Sequence, residues 1–366
     1  MDDVYQPLYD ITKSYEDNLS LGPNPHYKAS SKPPTVKGDY HFLGFKVNAP
    51  FGSAASPTGA DSQFIKVMFD NDYDIVTTKT RRSVHYHPNP FPHVVHIVPG
   101  KILKNQNFKE LPDRTKAESS DYRTLTLANS YGNNSVDPKY WVPDAKKANS
   151  YAGDGQLLIT NIVGTIQPGF STADYYNDFA QTALLAKSSG AKVIEINFSC
   201  PNVMNEGVLC YDKTAVETIT ALVKRAVGDI PIIAKLGYFP PSEQTLLEEI
   251  AVSIDPYVGA ISAMNTFAAP IYDQEGNQAL PGKGRLKAGL SGQAIKDLGI
   301  DMTRRLHATR KKHKLNYEIV GIGGVLTAKD FDDYRQAGAD IVLSATGALW
   351  NPNLANEVKR SLRDPA

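Results

Sequence analysis

The chain has only two cysteines and two tryptophans in 366 residues, and it carries no excess charge: Lys+Arg and Asp+Glu each number 39. Two cysteines cannot frame a disulfide-stapled fold of this size, and neither keeps the company that a metal site needs. No metal is therefore expected, and the cluster His85, His87 and His93, interleaved with Pro88, Pro90 and Pro92, reads as a loop over a site. Zero net charge removes the basic surface that would attract nucleic acid or an anionic membrane. No apolar run approaches the roughly 18 residues that span a bilayer. Met1-Asp2-Asp3-Val4-Tyr5 lacks the basic and apolar regions of a signal peptide. These absences predict a cytoplasmic protein in a reducing compartment, with neither a nucleic-acid nor a membrane partner.

What is present is alternation. From about residue 45, short apolar runs at 45–49, 73–78, 157–163, 193–198, 231–236, 259–264, 318–322 and 340–344 are interleaved with helical patterns. Ser171-Thr172-Ala173-Asp174 and Thr327-Ala328-Lys329-Asp330 read as capping boxes that open two of the helices. Ala215, Ile219, Leu222, Val223 and Ala226 form an apolar stripe at helical spacing. Eight such strands with helical returns predict a (β/α)8 TIM barrel. A doubly wound sheet is the rival, but no Gly-x-Gly-x-x-Gly follows the first run. The excess length predicts an N-terminal extension, 1–40, wrapping the outside of a single domain, 41–366. An insertion at about 81–155, after the second strand, would contain a strand-like piece at 124–128.

In a barrel the C-terminal ends of the strands carry the chemistry. Reading only those positions gives Ser53-Ala54-Ala55-Ser56, Lys79-Thr80, then Asn129-Ser130-Tyr131-Gly132-Asn133 from the insertion. The later strands give Asn197, Ser199, Cys200 and Asn202, then Lys235, Asn265-Thr266, Gly323-Gly324 and Thr346-Gly347. Each has a bland reading: a lysine at a strand end is usually solvated, an asparagine near a turn usually forms the turn, and a lone cysteine is usually an inert small hydrophobe. Their coincidence at one end shifts the balance. Carboxamides donate and accept and so can read a planar amide-rich ring, while a thiol beside them can move a proton. Late glycines suit a phosphate. Two buried lysines call for nearby negative charge, which a reduced flavin would supply. The residues themselves imply a phosphate-bearing cofactor and a planar, amide-containing substrate beside a thiol.

Asn197-Phe198-Ser199-Cys200-Pro201-Asn202, together with Thr78-Lys79-Thr80, Asn129-Ser130-Tyr131-Gly132, Ala288-Gly289-Leu290-Ser291-Gly292, Gly321-Ile322-Gly323-Gly324 and Thr346-Gly347, resembles the dihydroorotate dehydrogenase family, class 1, from about residue 42 to 359. The resemblance implies an FMN-dependent oxidoreductase of pyrimidine biosynthesis that oxidises dihydroorotate to orotate. By the same resemblance Cys200 is the base, and Lys79 contacts both flavin and substrate. Asn129, Asn197, Asn202, Asn265 and Thr266 would hydrogen-bond the pyrimidine, and backbone groups of Tyr131, Gly132 and Asn133 would hold its carboxylate. Asn129 and Asn197 would also border the flavin. Ala54, Ala55 and Thr80 would line it, Lys235 would sit against its ring, and Gly289, Gly323, Gly324, Thr346 and Gly347 would cradle the ribityl phosphate.

The resemblance further implies a homodimer and either a small diffusible electron acceptor such as fumarate or an electron-transfer partner. The chain departs from the family at Ser53-Ala54-Ala55-Ser56, at Ala288 and at Tyr131-Gly132-Asn133-Asn134, where Leu-Pro is usual. A related flavin-dependent uracil or thymine oxidoreductase remains an alternative, as do a flavin-free phosphate-binding barrel and a barrel that only binds. Cys210 is expected to be a buried small side chain.

Overall fold

The protein is described here from a computed structural model that covers residues 7–32, 36, 39–98, 108–110, 121–199 and 209–363. Residues 7–32 carry one short helix, α1 (Tyr15–Leu21), whose N-cap Ser14 accepts a hydrogen bond from the Asp17 amide. A hairpin of β1 (Tyr40–Phe42) and β2 (Phe45–Val47) follows. Leu43 and Gly44 turn it with φ of 53° and 83°, the left-handed pair that suits a two-residue hairpin. Phe42 and Val47 are buried among the residues that fill the barrel, and the Leu43 amide donates to Glu318 at the start of a barrel strand. The hairpin therefore closes the N-terminal end of the barrel, opposite the end that carries the site.

The barrel begins with β3 (Phe51–Ser53), helix α2 (Ser62–Asp70) and β4 (Ile75–Thr77). An excursion then holds β5 (Val94–Val98), β6 (Phe108–Glu110) and β7 (Thr126–Asn129) before α3 (Pro138–Asn149). The series resumes with β8 (Leu157–Ile162), α4 (Thr172–Ser188), β9 (Val193–Asn197), α5 (Lys213–Val227), β10 (Ile232–Lys235), α6 (Gln244–Ile254) and β11 (Ala260–Ala263). A second excursion, β12 (Phe267–Tyr272) and β13 (Lys287–Gly292), precedes α7 (Lys296–His313). The chain ends with β14 (Glu318–Ile322), α8 (Ala328–Gln336), β15 (Ile341–Ser344), α9 (Thr346–Trp350) and α10 (Leu354–Arg363). Strands β3-β4-β8-β9-β10-β11-β14-β15 pair in parallel and close on themselves where β15 meets β3, Val342 opposite Phe51. This is the expected (β/α)8 barrel, with the extension and the insertion after its second strand.

One boundary is corrected. The first barrel strand is Phe51–Ser53, and the run at 45–49 forms the outer strand of the hairpin instead. In Phe45-Lys46-Val47 burial alternates, as on a half-covered ribbon, whereas all of Phe51–Ser53 is buried. A Cβ on Gly52 would lie 2.0 Å from the Ile75 carbonyl, so only glycine allows β3 and β4 to lie this close. Both capping boxes form as expected, at Ser171 and Thr327.

Among the described residues β12-β13-β7-β5-β6 make a second, smaller closed sheet. Its β12–β13 hairpin was not foreseen from the sequence. Ile75, Leu157, Ile159, Val193, Ile233, Val320, Ile341 and Leu343 fill the main barrel, each burial contributing roughly 1.5–3 kcal/mol. Large side chains of residues 7–32 are part of the core. Leu8, Tyr9, Ile11, Tyr15 and Tyr27 are buried in one cluster with Phe51, Phe64, Tyr131, Leu349 and Trp350. No helix among the described residues is long and apolar enough to cross a membrane.

Candidate active site

A cavity of about 1100 Å³, open mouth included, lies where the barrel strands end. Its walls include Ala54 and Ala55 after β3, Lys79 and Thr80 after β4, and Asn129, Tyr131 and Asn133 at the end of β7. Asn197 ends β9 and Lys235 ends β10, Asn265 and Thr266 follow β11, Gly323 and Gly324 follow β14, and Thr346 opens α9. Fourteen residues singled out from the sequence thus meet in one place. Gly132, Gly289 and Gly347 sit behind the wall: Gly289 pairs with Asn129 across β13 and β7, and a Cβ there would strike the Thr266 hydroxyl at 2.2 Å. A Cβ on Gly347 would meet the Val325 carbonyl at 2.5 Å. Cys200 and Asn202 lie outside the described residues.

The two lysines are held differently. Lys235, 2 % exposed, lies with its ammonium 3.9 Å from the Glu195 carboxylate inside the barrel, and Asn161 donates to the same carboxylate. The sequence reading sought a cofactor charge for both lysines, but the chain itself supplies one for Lys235. A glutamate in the middle of the apolar run Val193-Ile194-Glu195-Ile196 was the available signal. Lys79 donates to the Asn134 side chain at 2.7 Å, and its ammonium stands over the rings of Tyr131 and Tyr15, 5.2 and 5.1 Å from their centroids. Asn134 stood in the sequence only as part of a turn that departs from the family, and Tyr15 carried no motif.

The turn 130–133 is clamped by two buried guanidinium groups. Arg285, from the loop between β12 and β13, donates to the Ser130 hydroxyl at 3.1 Å and the Ser130 carbonyl at 3.0 Å. It also donates to the carbonyls of Pro90, Pro92 and Pro281. Burial pushes its pKa down, and these acceptors compensate for lost water. Arg82 reaches the turn from the other side, donating to the Asn133 carbonyl at 2.7 Å and to Gly164 at 2.8 Å. Between them Asn133 has φ of 51° and a buried Nδ2 without a partner. Tyr131 directs its bulk away from the turn, with its ring 5.1 Å from His93 and 6.3 Å from Tyr9. Burial pushes the pKa of His93 down. His85 and His87 lie together and more exposed, 3.3 Å between ring nitrogens.

Strain marks the strand ends. Met264, fully buried, has φ of 62°, costing about 1–2 kcal/mol for a residue with a Cβ. That conformation turns the chain so that Asn265 and Thr266 reach the cavity, and the Asn265 amide donates to the Ser199 carbonyl. Gly323 and Gly324 have φ of 119° and 67°, and a Cβ on Gly324 would strike the Gly292 carbonyl at 2.7 Å. Bare backbone therefore borders the cavity beside the Thr346 hydroxyl, which lies 3.2 Å from that of Ser291. A long, flat ligand with a phosphate tail fits this set. Lysines and carboxamides border one part of the cavity, Ile295, Ile322 and Leu349 make its apolar wall, and the glycine turn leaves space without side chains. Cys210 is buried, its thiol pushed up to about 11 by desolvation, as expected for an inert side chain.

Residues 39–365 match the family model described as "Dihydroorotate dehydrogenase". The chain is 32% identical over 364 residues to the "Dihydroorotate dehydrogenase" of Dictyostelium discoideum, covering 96% of each chain. It is 30% identical over 172 residues to the "Dihydroorotate dehydrogenase B (NAD(+)), catalytic subunit" of Petrotoga mobilis, covering 47% of this chain and 54% of that one. The corresponding subunit of Desulforamulus reducens is 28% identical over 268 residues, 72% of this chain and 78% of that one.

Proposed function

The chain belongs to the dihydroorotate dehydrogenase family, a family of FMN-dependent oxidoreductases acting on CH–CH groups, and from that premise we propose that it oxidises dihydroorotate to orotate in pyrimidine biosynthesis with Cys200 as base. The observation that carries the reading is the convergence of Lys79, Asn129, Asn197, Lys235, Asn265 and Thr266 on one cavity. Carboxamides of Asn129, Asn197, Asn202 and Asn265 with the Thr266 hydroxyl orient the ring, and backbone groups of Tyr131, Gly132 and Asn133 receive the carboxylate. The guanidinium groups of Arg82 and Arg285 on that turn favour an anionic pyrimidine over neutral dihydrouracil.

Residues that border the cavity, with Gly289 and Gly347 behind its wall, would hold FMN. Ala54, Ala55, Thr80, Lys79, Asn129, Asn197 and Lys235 would surround its ring, and Gly289, Gly323, Gly324, Thr346 and Gly347 its phosphate. When bound, FMN supplies the two-electron acceptor for the hydride that leaves the ring carbon next to the deprotonated one. The protein's part is proton transfer and orientation. Cys200 takes the proton from the ring carbon as the C–H bond breaks. A free thiol is only about 3% thiolate at pH 7, so the site must favour the ionised form. A cation or backbone donor beside a thiol acts in that direction.

With Cys200 as base, the proposed branch is class 1. The reading extends to a cytoplasmic homodimer, with residues 1–40 an extension of one flavin-binding domain, 41–366. Its electron acceptor is a small diffusible molecule such as fumarate, or an electron-transfer partner. The test is anaerobic reduction of the purified yellow protein by dihydroorotate, dihydrouracil and dihydrothymine. Bleaching by dihydroorotate alone is expected. Cys200→Ala keeps its flavin and loses at least about 10²-fold in reduction rate. A colourless protein, bleaching only by the neutral rings, or reduction of Cys200→Ala at the wild-type rate would overturn the reading.

A further inference from the structure

Tyr15 lies ahead of residue 39, where the family match begins, yet its ring stands against Lys79 of the cavity wall. Its ring is 2 % exposed and its centroid is 5.1 Å from the Lys79 ammonium, which the Tyr131 ring approaches to 5.2 Å. A cation over aromatic faces is attracted by the ring quadrupole, more strongly where water is excluded. The local sequence fixes the ring in place. Ser14 caps α1 so that Tyr15 is the first helical residue. The buried Asn18 side chain accepts from the Asp10 amide and donates to the carbonyls of Asp10 and Ser14, each at 2.8 Å. The segment is tied to the barrel by the Leu8 amide on the Leu349 carbonyl at 2.9 Å, by the Tyr27 hydroxyl on the Ala348 carbonyl, and by the Ser30 amide on Asn353 at 2.7 Å.

We propose that Tyr15 is a positioning residue, its ring face holding the Lys79 ammonium at the cavity wall, and that the N-terminal segment is thereby part of the active site. The link from Lys79 to substrate rests on the dihydroorotate reading; the contact between Tyr15 and Lys79 does not.

Two measurements on the flavin-loaded full chain test this. Reductive methylation of Lys79, followed by mass spectrometry, reads how firmly the ammonium is held without any substrate. Titration with orotate, followed by the flavin absorption change, reads its consequence for binding. Tyr15→Phe keeps the ring face and is expected within about twofold of wild type in both. Tyr15→Leu is expected to speed methylation and weaken orotate binding by about 5- to 30-fold each, the range of a partly desolvated cation–π contact. Ile11→Ala removes a buried side chain of the same segment and serves as the control for general loosening. It is expected to lower the melting temperature and leave both readouts within about twofold. Unchanged methylation in Tyr15→Leu, or the same changes in Ile11→Ala, would overturn the proposal. A wild-type protein that ignores orotate would overturn the dihydroorotate reading, while methylation still judges Tyr15.

Discussion

Replacing Arg285 by methionine keeps most of the side chain's length and removes five hydrogen bonds at once. Their contributions differ with the acceptor's surroundings. The carbonyls of Pro90, Pro92 and Pro281 belong to half-buried or exposed residues and regain water when the guanidinium goes. Ser130 is 1 % exposed and cannot. Its carbonyl and hydroxyl oxygens lose two bonds to a charged donor, each worth roughly 1.5–3 kcal/mol, and keep the Asn89 amide at 3.2 Å. The expected cost falls on local opening of the turn and is about 3 kcal/mol, a change of about 10²-fold in its opening equilibrium. Two amides report that opening: Ser130 donates to His93 at 2.8 Å and Asn89 donates to Tyr131 at 3.0 Å. Hydrogen exchange of peptides covering 86–98 and 126–134 should accelerate about 10²-fold, with peptides of α5 and α6 unchanged. Arg285→Lys should lie nearer to methionine than to wild type, because an ammonium lacks the planar fork that reaches both Ser130 oxygens. Exchange within threefold of wild type in Arg285→Met would refute the idea that this side chain clamps the turn.

Glu195→Gln leaves the Lys235 ammonium inside the barrel without its charge partner and should cost about 3–5 kcal/mol in urea unfolding, most of it recovered in Glu195→Gln/Lys235→Met. A double variant no more stable than the single one would contradict that pairing. Asp74 pairs with Lys359 at 2.9 Å, yet burial pushes its carboxyl up to about 6. A carboxyl raised in the folded state favours folding below its unfolded value and loses that contribution as pH rises through about 6. Lys359→Met removes the compensating charge, so its melting-temperature deficit should be larger at pH 8 than at pH 5, and a deficit independent of pH would be inconsistent with this balance. Gly324→Ala places a Cβ 2.7 Å from the Gly292 carbonyl at φ of 67°. It should cost more than the roughly 1 kcal/mol of a left-handed alanine and release FMN, seen as recovered flavin fluorescence; a variant that purifies with full flavin would argue against a tight glycine turn at the cavity.

The eight apolar runs and the capping boxes at Ser171 and Thr327 are local signals, and seven of the eight runs contain barrel strands. The eighth failed for a local reason: Phe45-Lys46-Val47 has the better strand pattern, but the close approach of β3 to β4 needs Gly52. The positions at strand ends were legible because a parallel barrel brings all its C-terminal ends to one face, so residues from Ala54 to Thr346 could be grouped without knowing any distance. Order along the chain cannot reveal which distant groups share a charge or a ring. The pairing of Lys235 with Glu195, the clamp of Arg285 on a turn 155 residues earlier, and the arrival of Tyr15 over Lys79 arise only when the barrel closes and its excursions fold across the mouth. Local periodicity and capping act within a few residues and can be read in a line. Desolvation, ion pairing and cation–π attraction act through space, and the tertiary fold alone decides who meets whom.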